Sequence, residues 1–458
     1  MNSPRLMLAA PGSGSGKTMI TCGLLQALVN RGLKVASFKC GPDYIDPLFH
    51  EQVIGAKSGN LDLFFSSGEL MRYLFTRRAA DRDISIIEGV MGYYDGMSAA
   101  SSDGSSWHVA KELSAPVVLI VNSRGQSVSA LATLYGFLHY QENSRICGVI
   151  FNQMSQGVYE KLKDKVAEMG VEPLGYVPKS PDLVVESRYL GLVAPEEVTD
   201  LKERLQGLAQ LLEKTVNLDR LLELSRQAPE LDPQPPVLPP KDEKVTVAVA
   251  RDEAFTFLYQ DNLALLEELG AEIVPFSPMR DKALPKGTKG ILLCGGYPER
   301  FAKVLSENTS MLDSIRHAIQ NGVPCLAECG GFLYLHQELM GDDGQYYPMA
   351  GIIPARAYKT SRLGRFGYIA LSPAQNSRFL AEGETAKGHE FHYYESESCG
   401  ESLLAVKPLT GKSWQCCHQA GNLLAGFPHF FYYSNPNMIK RFLDACREAV
   451  PADGEEKI

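Results

Sequence analysis

The sequence predicts an α/β protein of two domains, each a mostly parallel sheet with helices on both faces. Three observations predict it. The chain has 458 residues, more than one ordinary core organises. Through the first half, short β-branched apolar runs alternate with helix-period stretches, the pattern of a parallel sheet covered on both sides. A proline-rich break then precedes a fresh strand, Val245–Ala250, and a second alternation.

The predicted strands of the first half are residues 6–10, 34–38, 84–87, 117–121 and 146–151, with a helix over 19–31. A charged amphipathic helix follows at about 198–225, and then six prolines fall within residues 229–240. That density excludes both a helix and a central strand, so the segment reads as a stiff linker. Strands at 290–294 and 324–327 belong to the second domain, and the charged tail 451–458 is expected to fray. Hydrophobic residues make up 45% and charged residues 22%, ordinary for a globular chain. The net charge of −9 gives no general attraction for nucleic acid or an anionic membrane, and no apolar run is long enough to span a bilayer. No basic n-region precedes the first strand, so no signal peptide is expected. Ten scattered cysteines suit reduced thiols and a cytoplasmic location.

Three features of the first domain carry chemistry. Ala10-Pro-Gly-Ser-Gly14-Ser15-Gly16-Lys17-Thr18 follows a strand and opens a helix. Glycines let backbone N–H groups surround phosphates, Lys17 reaches the β/γ-phosphates, and the Thr18 hydroxyl suits Mg²⁺. Pro11 stands where such loops usually begin with glycine. Lys39-Cys-Gly-Pro-Asp43-Tyr44-Ile-Asp46-Pro47 follows the second strand, and Glu88-Gly-Val-Met-Gly-Tyr-Tyr-Asp95-Gly96 the third predicted here. Ligands of open α/β sheets gather beyond the carboxyl ends of strands, so Thr18, Asp43 and Glu88 are the candidate Mg²⁺ ligands. The plainer alternatives are turn chemistry for Asp43 and Asp46 and a solvated strand end for Glu88.

In the second domain, Pro324-Cys-Leu-Ala-Glu-Cys329-Gly330-Gly331 runs from an apolar strand through a sharp turn into a helix. This is a nucleophile elbow with cysteine as the nucleophile, and the helix N-terminus is expected to favour its thiolate. Cys325 suits a buried structural residue. The loop Leu293-Cys-Gly-Gly296-Tyr-Pro-Glu299 also follows a strand, and its amides, with that of Gly330, are candidates for an oxyanion hole. The candidate bases are His389, His392 and His429. His429 follows a strand-like run at 422–427, which suits a base beside a central elbow. Cys416-Cys417-His418 lacks metal-site spacing.

Together these residues make the second domain resemble a triad-class glutaminase, that is, class I glutamine amidotransferases. The first resembles the dethiobiotin-synthetase-like P-loop ligases, within the P-loop NTPases. The pairing, in this order, is similar to the cobyrinic acid a,c-diamide synthases over nearly the whole chain. The strings that carry the resemblance include Lys39-Cys-Gly-Pro-Asp-Tyr-Ile-Asp-Pro47, Glu88-Gly-Val-Met-Gly-Tyr-Tyr-Asp-Gly96, Ala254-Phe-Thr-Phe, Gly295-Gly-Tyr-Pro-Glu299, Ala327-Glu-Cys-Gly-Gly331 and Gly388-His-Glu-Phe-His-Tyr393. The resemblance implies an amidoligase domain at 1–197, a helix and linker at 198–243, an amidotransferase domain at 244–448 and a tail at 449–458. It implies ATP with Mg²⁺, glutamine and cobyrinic acid as ligands, no tightly bound organic cofactor, and no nucleic-acid or membrane partner; a homodimer is compatible with it. It assigns Cys329 and His429 to glutamine hydrolysis and Asp43, Tyr44, Asp46 and Asp95 to the substrate side. The reaction implied is amidation of side chains a and c through acyl phosphates, in cobalamin biosynthesis. Nickel-sirohydrochlorin is the alternative substrate, and a non-enzymatic P-loop switch the alternative of another class. The chain departs from the family at Ala10-Pro-Gly, at Val185-Glu-Ser-Arg-Tyr-Leu-Gly-Leu192, and at Phe431, where a second histidine is usual.

Overall fold

The computed structural model of the protein describes residues 3–180, 195–375 and 377–453. The chain divides into two compact units, Met1–Pro236 and Val237–Ile458. In the first, strands β1 (Arg5–Ala9), β2 (Val35–Cys40), β3 (Lys57–Leu61), β4 (Ile84–Glu88), β5 (Val117–Asn122), β6 (Ile146–Asn152) and β7 (Glu172–Val177) form one sheet. Its order is β3-β2-β4-β1-β5-β6-β7, and all neighbours are parallel.

Alternate residues of β1 enter opposite cores, as strand geometry requires. Leu6 and Leu8 pack with Ile20, Leu24 and Leu28 of helix α1 (Lys17–Asn30). Met7 and Ala9 pack with Met71, Phe75, Val109 and Leu134 of helices on the other face. Burial on both faces is why these strands read as continuous apolar runs. The sequence pattern does not predict β3 (Lys-Ser-Gly-Asn-Leu) or β7 (Glu-Pro-Leu-Gly-Tyr-Val). Both are edge strands, where one ladder partner suffices and polar or proline residues are tolerated.

The helices Pro195–Thr215 and Leu218–Arg226 belong to the first unit: Leu205, Leu208, Leu212 and Leu221 are fully buried in its core. Arg5 is also fully buried and donates to the carbonyls of Leu113, Ser3 and Pro229 at 2.6, 3.0 and 2.7 Å. The linker's first residue is thereby tied to β1. From there to the second unit the linker has no regular structure. The departure at 185–192 lies outside the described residues, as does the tail from 454 on.

The second unit is built on a six-stranded sheet. Its order is Ala271–Phe276, Val245–Ala250, Gly290–Leu293, Cys325–Glu328, Leu423–Gly426 and His418–Ala420; the first five are parallel and the last is antiparallel. An antiparallel sheet and a mixed sheet add to this framework. One has five strands, ordered Ser413–Cys416, Leu403–Val406, Phe366–Pro373, Ala386–Phe391 and His429–Phe431. The other has four and includes Ile353–Lys359 and Tyr394–Ser396. No described helix is long and apolar enough to cross a membrane.

Candidate active site

The chemistry-bearing residues fall into two sites, one per unit. In the first unit the carboxyl ends of β1, β4 and β2 lie side by side. The phosphate loop leaves β1 and turns into α1 at Gly16, whose φ of 91° is left-handed. A Cβ there would lie 2.2 Å from Asn152 Nδ2, which donates to Ser15 O at 2.8 Å. Gly16 is therefore required both by its backbone angle and by the Asn152 side chain that braces the loop.

Glu88 is the centre of the site. It is fully buried, and its Oε1 accepts from the Thr18 hydroxyl and from Lys39 Nζ, each at 2.6 Å. Lys39 also pairs with Asp46 Oδ2 at 2.6 Å. Burial alone would lower the Lys39 ammonium, but Glu88 and Asp46 hold it well above its ordinary range. Burial likewise pushes Glu88 up, and Lys39 prevails to keep it ionised. Asp43 closes an Asx turn, its Oδ1 accepting from the Ile45 and Asp46 amides at 2.8 and 3.1 Å. Burial and the neighbouring Asp46 push Asp43 up to about 6. So the turn chemistry weighed for Asp43 is present, on a carboxyl that also belongs to the charged cluster. Asp46 faces inward onto Lys39, and Tyr44 caps the short helix Ile45–Phe49.

Lys17 donates to Met91 O at 2.5 Å, and burial lowers its ammonium against the pull of Glu88. Asp95 accepts from the Gly92 amide at 2.9 Å. Met91 and Asp95 line a cleft of about 820 Å³, walled by Tyr94, Phe137 and Tyr140 and by the serine-rich loop around Ser101. Tyr94 stacks on Phe137 with ring centroids 5.4 Å apart. Met91 thus joins the phosphate loop to an open, aromatic-walled cleft.

Glu88 Oε2 is buried without a hydrogen-bond partner, next to the Thr18 hydroxyl. A hard cation seeks such oxygen donors, so Thr18 and Glu88 fit Mg²⁺, with Asp43 at the next strand end. Among the described residues no group of three His, Cys, Asp or Glu side chains forms a metal cage.

In the second unit the strand Cys325–Glu328 ends in Cys329, which has a φ of 46° and ψ of −101°. A non-glycine residue with positive φ is strained, and here it begins the helix Gly330–Tyr334. The neighbouring strand pairs Gly426 with Glu328, and the Cys329 amide donates to Gly426 O at 2.8 Å. His429 lies three residues beyond Gly426. Its ring is packed on Gly295, where a Cβ would lie 2.3 Å from His429 Cε1. A Cβ on Gly330 would lie 2.8 Å from the Gly296 amide nitrogen. His429, Gly295, Gly296, Gly330 and Cys329 thus form one continuous set of contacts. His389 stacks on His429, with ring centroids 4.9 Å apart. His392 is committed elsewhere, between Glu390 and the Tyr394 carbonyl at 3.1 and 2.6 Å. Phe431 is buried against Tyr259, so the usual second histidine position is apolar.

The electrostatics correct one expectation. Burial, reinforced by Glu299 and Glu390, pushes the Cys329 thiol up; only the Gly330 amide acts to lower it appreciably. The helix behind it has five residues, too short to outweigh that environment. Burial, with His389 and His392, drives His429 well down. Both shifts favour the neutral thiol and the neutral imidazole.

Lys39, Asn152, Glu299 and Glu328 are not singled out by the sequence reading. A lysine ending a buried strand was the available signal for Lys39. Nothing local marks the others: Asn152 acts across 137 residues, and Glu328 accepts at 3.0 Å from a tyrosine 104 residues away.

Comparison with known proteins gives both units relatives. Residues 6–189 match the CobQ/CobB/MinD/ParA nucleotide binding domain, and residues 246–437 the CobB/CobQ-like glutamine amidotransferase domain. Over 96% of this chain and 98% of its own length, the cobyrinate a,c-diamide synthase of Caldanaerobacter subterraneus subsp. tengcongensis is 39% identical. The synthase of the same name from Priestia megaterium is 36% identical over 98% of both chains. That of Salmonella typhimurium is 38% identical over 97% of this chain and 98% of its own. With a nucleotide-binding and an amidotransferase domain in the same order along its whole length, the chain belongs to the cobyrinate a,c-diamide synthase family.

Proposed function

We propose that this chain is the ATP- and glutamine-dependent ligase that converts the a- and c-side-chain carboxylates of cobyrinic acid into carboxamides in cobalamin biosynthesis. One observation carries the reading: a phosphate loop with an ionised carboxylate and a cysteine elbow with a histidine lie in one chain. The first activates an acid and the second makes ammonia. A carboxylate is a poor electrophile, so ATP phosphorylates it to an acyl phosphate. The Gly14, Ser15 and Gly16 amides and Lys17 hold the phosphates and offset charge on the transferred group. Thr18, Glu88 and Asp43 would hold Mg²⁺, which supplies further charge neutralisation there. Lys39 keeps Glu88 ionised and fixed in place. The corrin ring takes the cleft of Met91, Tyr94, Asp95 and Tyr140, whose aromatic wall suits a flat macrocycle.

In the second unit, Cys329 attacks the glutamine side-chain amide. His429 accepts the thiol proton as the C–S bond forms and returns it to the leaving ammonia, giving a thioester that water cleaves to glutamate. The amides of Gly296 and Gly330 stabilise the oxyanion. Ammonia then displaces phosphate from the acyl phosphate. We place this chemistry in the cytoplasm, where the ten free thiols stay reduced. The test is product analysis with cobyrinic acid, ATP and glutamine, run beside nickel-sirohydrochlorin. The expected products are the a,c-diamide, ADP, phosphate and glutamate. Faster amidation of nickel-sirohydrochlorin would reassign the substrate, and no ATP-dependent amide would end the proposal.

A further inference from the structure

Three carboxylates act on the Cys329 thiol: Glu299, Glu390 and Glu328. Two are committed. Glu390 accepts from Trp414 Nε1 at 3.2 Å and pairs with His392 at 3.1 Å. Glu328 accepts from the Tyr432 hydroxyl at 3.0 Å. Glu299 differs, because its Oε2 is buried without any hydrogen-bond partner. It lies on the Gly295–Glu299 loop, whose Gly296 and Pro298 pack on Gly330 of the elbow. Lys359, a cation that acts on it, is bonded to Asp342 at 2.9 Å. A second buried oxygen belongs to the same neighbourhood: Tyr394 is the ladder partner of Lys359, and the Asp342 amide, next to that lysine's partner carboxylate, donates to the Glu299 carbonyl at 3.3 Å. Tyr394 is 4% exposed, its hydroxyl has no partner, and Glu299 raises it. Two buried oxygens without partners, one of them on the loop that packs on the elbow, can both accept from a cation with several N–H groups. Burial pushes Glu299 up to about 7, and a cation bound at this carboxylate would reverse that shift.

We propose that Glu299 Oε2 and the Tyr394 hydroxyl receive the α-ammonium group of the glutamine whose side-chain amide Cys329 attacks. The inference rests on the glutaminase reading of Cys329 and adds how that site selects an amino acid over a simple amide. Three N–H donors on one charged nitrogen satisfy both oxygens at once. An amide lacking the α-amino group leaves them buried and unpaired, which costs binding.

The experiment measures glutamine hydrolysis by the full chain against hydrolysis of glutaramate, the same amide without the α-amino group. Wild type is expected to prefer glutamine strongly. Glu299→Gln should raise KM for glutamine about 10- to 100-fold, the range for losing a charged hydrogen bond, with a smaller change in kcat. It should leave KM for glutaramate near wild type, so the preference collapses. Synthesis from ammonium chloride, which bypasses this site, reports whether the variant is folded. If Glu299→Gln fails that control, Tyr394→Phe decides, since it removes only one oxygen; it should narrow the same preference by a smaller factor. An unchanged KM for glutamine, or an intact preference for it, in a folded variant overturns the proposal. Absence of Cys329-dependent hydrolysis in wild type would instead strike the glutaminase reading itself.

Discussion

Glu88 and Glu328 each end a buried central strand of their own sheet, one beside the phosphate loop and one beside the nucleophile. They are 0% and 3% exposed. Glu88 faces Lys39 and Thr18 and is held ionised. Glu328 faces only a tyrosine hydroxyl and the Phe430 amide, and burial pushes it up to about 8. The same residue in the same topological place has surroundings that favour its charged form in one unit and its protonated form in the other. The difference follows from what each site must do. The first handles a polyanion and benefits from fixed charges laid out in advance. On the proposed reading the second begins with thiol and imidazole in the neutral forms that burial favours, and creates charge only as glutamine reacts.

The largest effect should come from removing a fixed charge. Lys17→Ala should lower amide synthesis at least about 10³-fold with either nitrogen source, on the scale of losing a transition-state cation. Hydrolysis of glutamine should remain measurable. Near-normal synthesis would break the contrast at its strongest point. His429→Ala should cost glutamine hydrolysis about 10²–10⁴-fold, the usual loss for a general base, and leave ammonia-driven synthesis intact. Because burial disfavours the thiolate, no preformed thiolate is expected to rescue this variant.

The two glutamates sharpen the contrast through stability. Glu88→Gln leaves the Lys39 ammonium with one partner, Asp46, and should destabilise the protein by about 3 kcal/mol. Its Mg²⁺ requirement should rise in parallel. Glu328 works the other way. Its folded-state pKa is raised, so its stabilising contribution is present at acid pH and is lost progressively as pH rises to about 8. Glu328→Gln removes that loss. The variant's melting temperature should gain on wild type between pH 5 and pH 8, by no more than about 4 kcal/mol in stability. Parallel pH curves for the two proteins would show that Glu328 is not held protonated.

How much of this was legible in the sequence depends on where each residue's partner lies. Strands buried on both faces announced themselves, and so did loops whose whole meaning is local: Gly16-Lys17-Thr18 and the Cys329 elbow. The edge strands β3 and β7 did not, because one ladder partner lets them keep Lys57, Asn60 and Pro173. The five-stranded and four-stranded sheets of the second unit were missed for a related reason. Ile353–Lys359 alternates buried and exposed residues, and its exposed positions carry Arg356 and Lys359. The charge state of the sites was out of reach. Lys39 meets Glu88 across 49 residues, and the thiolate expected at Cys329 is defeated by burial and by Glu299 and Glu390, which no local string reveals.

On the proposed reading, two chemically separate sites in one chain share ammonia as their only common reactant. The most direct test is Cys329→Ala, assayed for diamide formation with glutamine and, separately, with saturating ammonium chloride. The expected result is loss of synthesis from glutamine and retention of synthesis from ammonia, because the proposed acyl phosphate would form at Lys17, Thr18 and Glu88. A folded Cys329→Ala protein that fails with ammonia as well would contradict it.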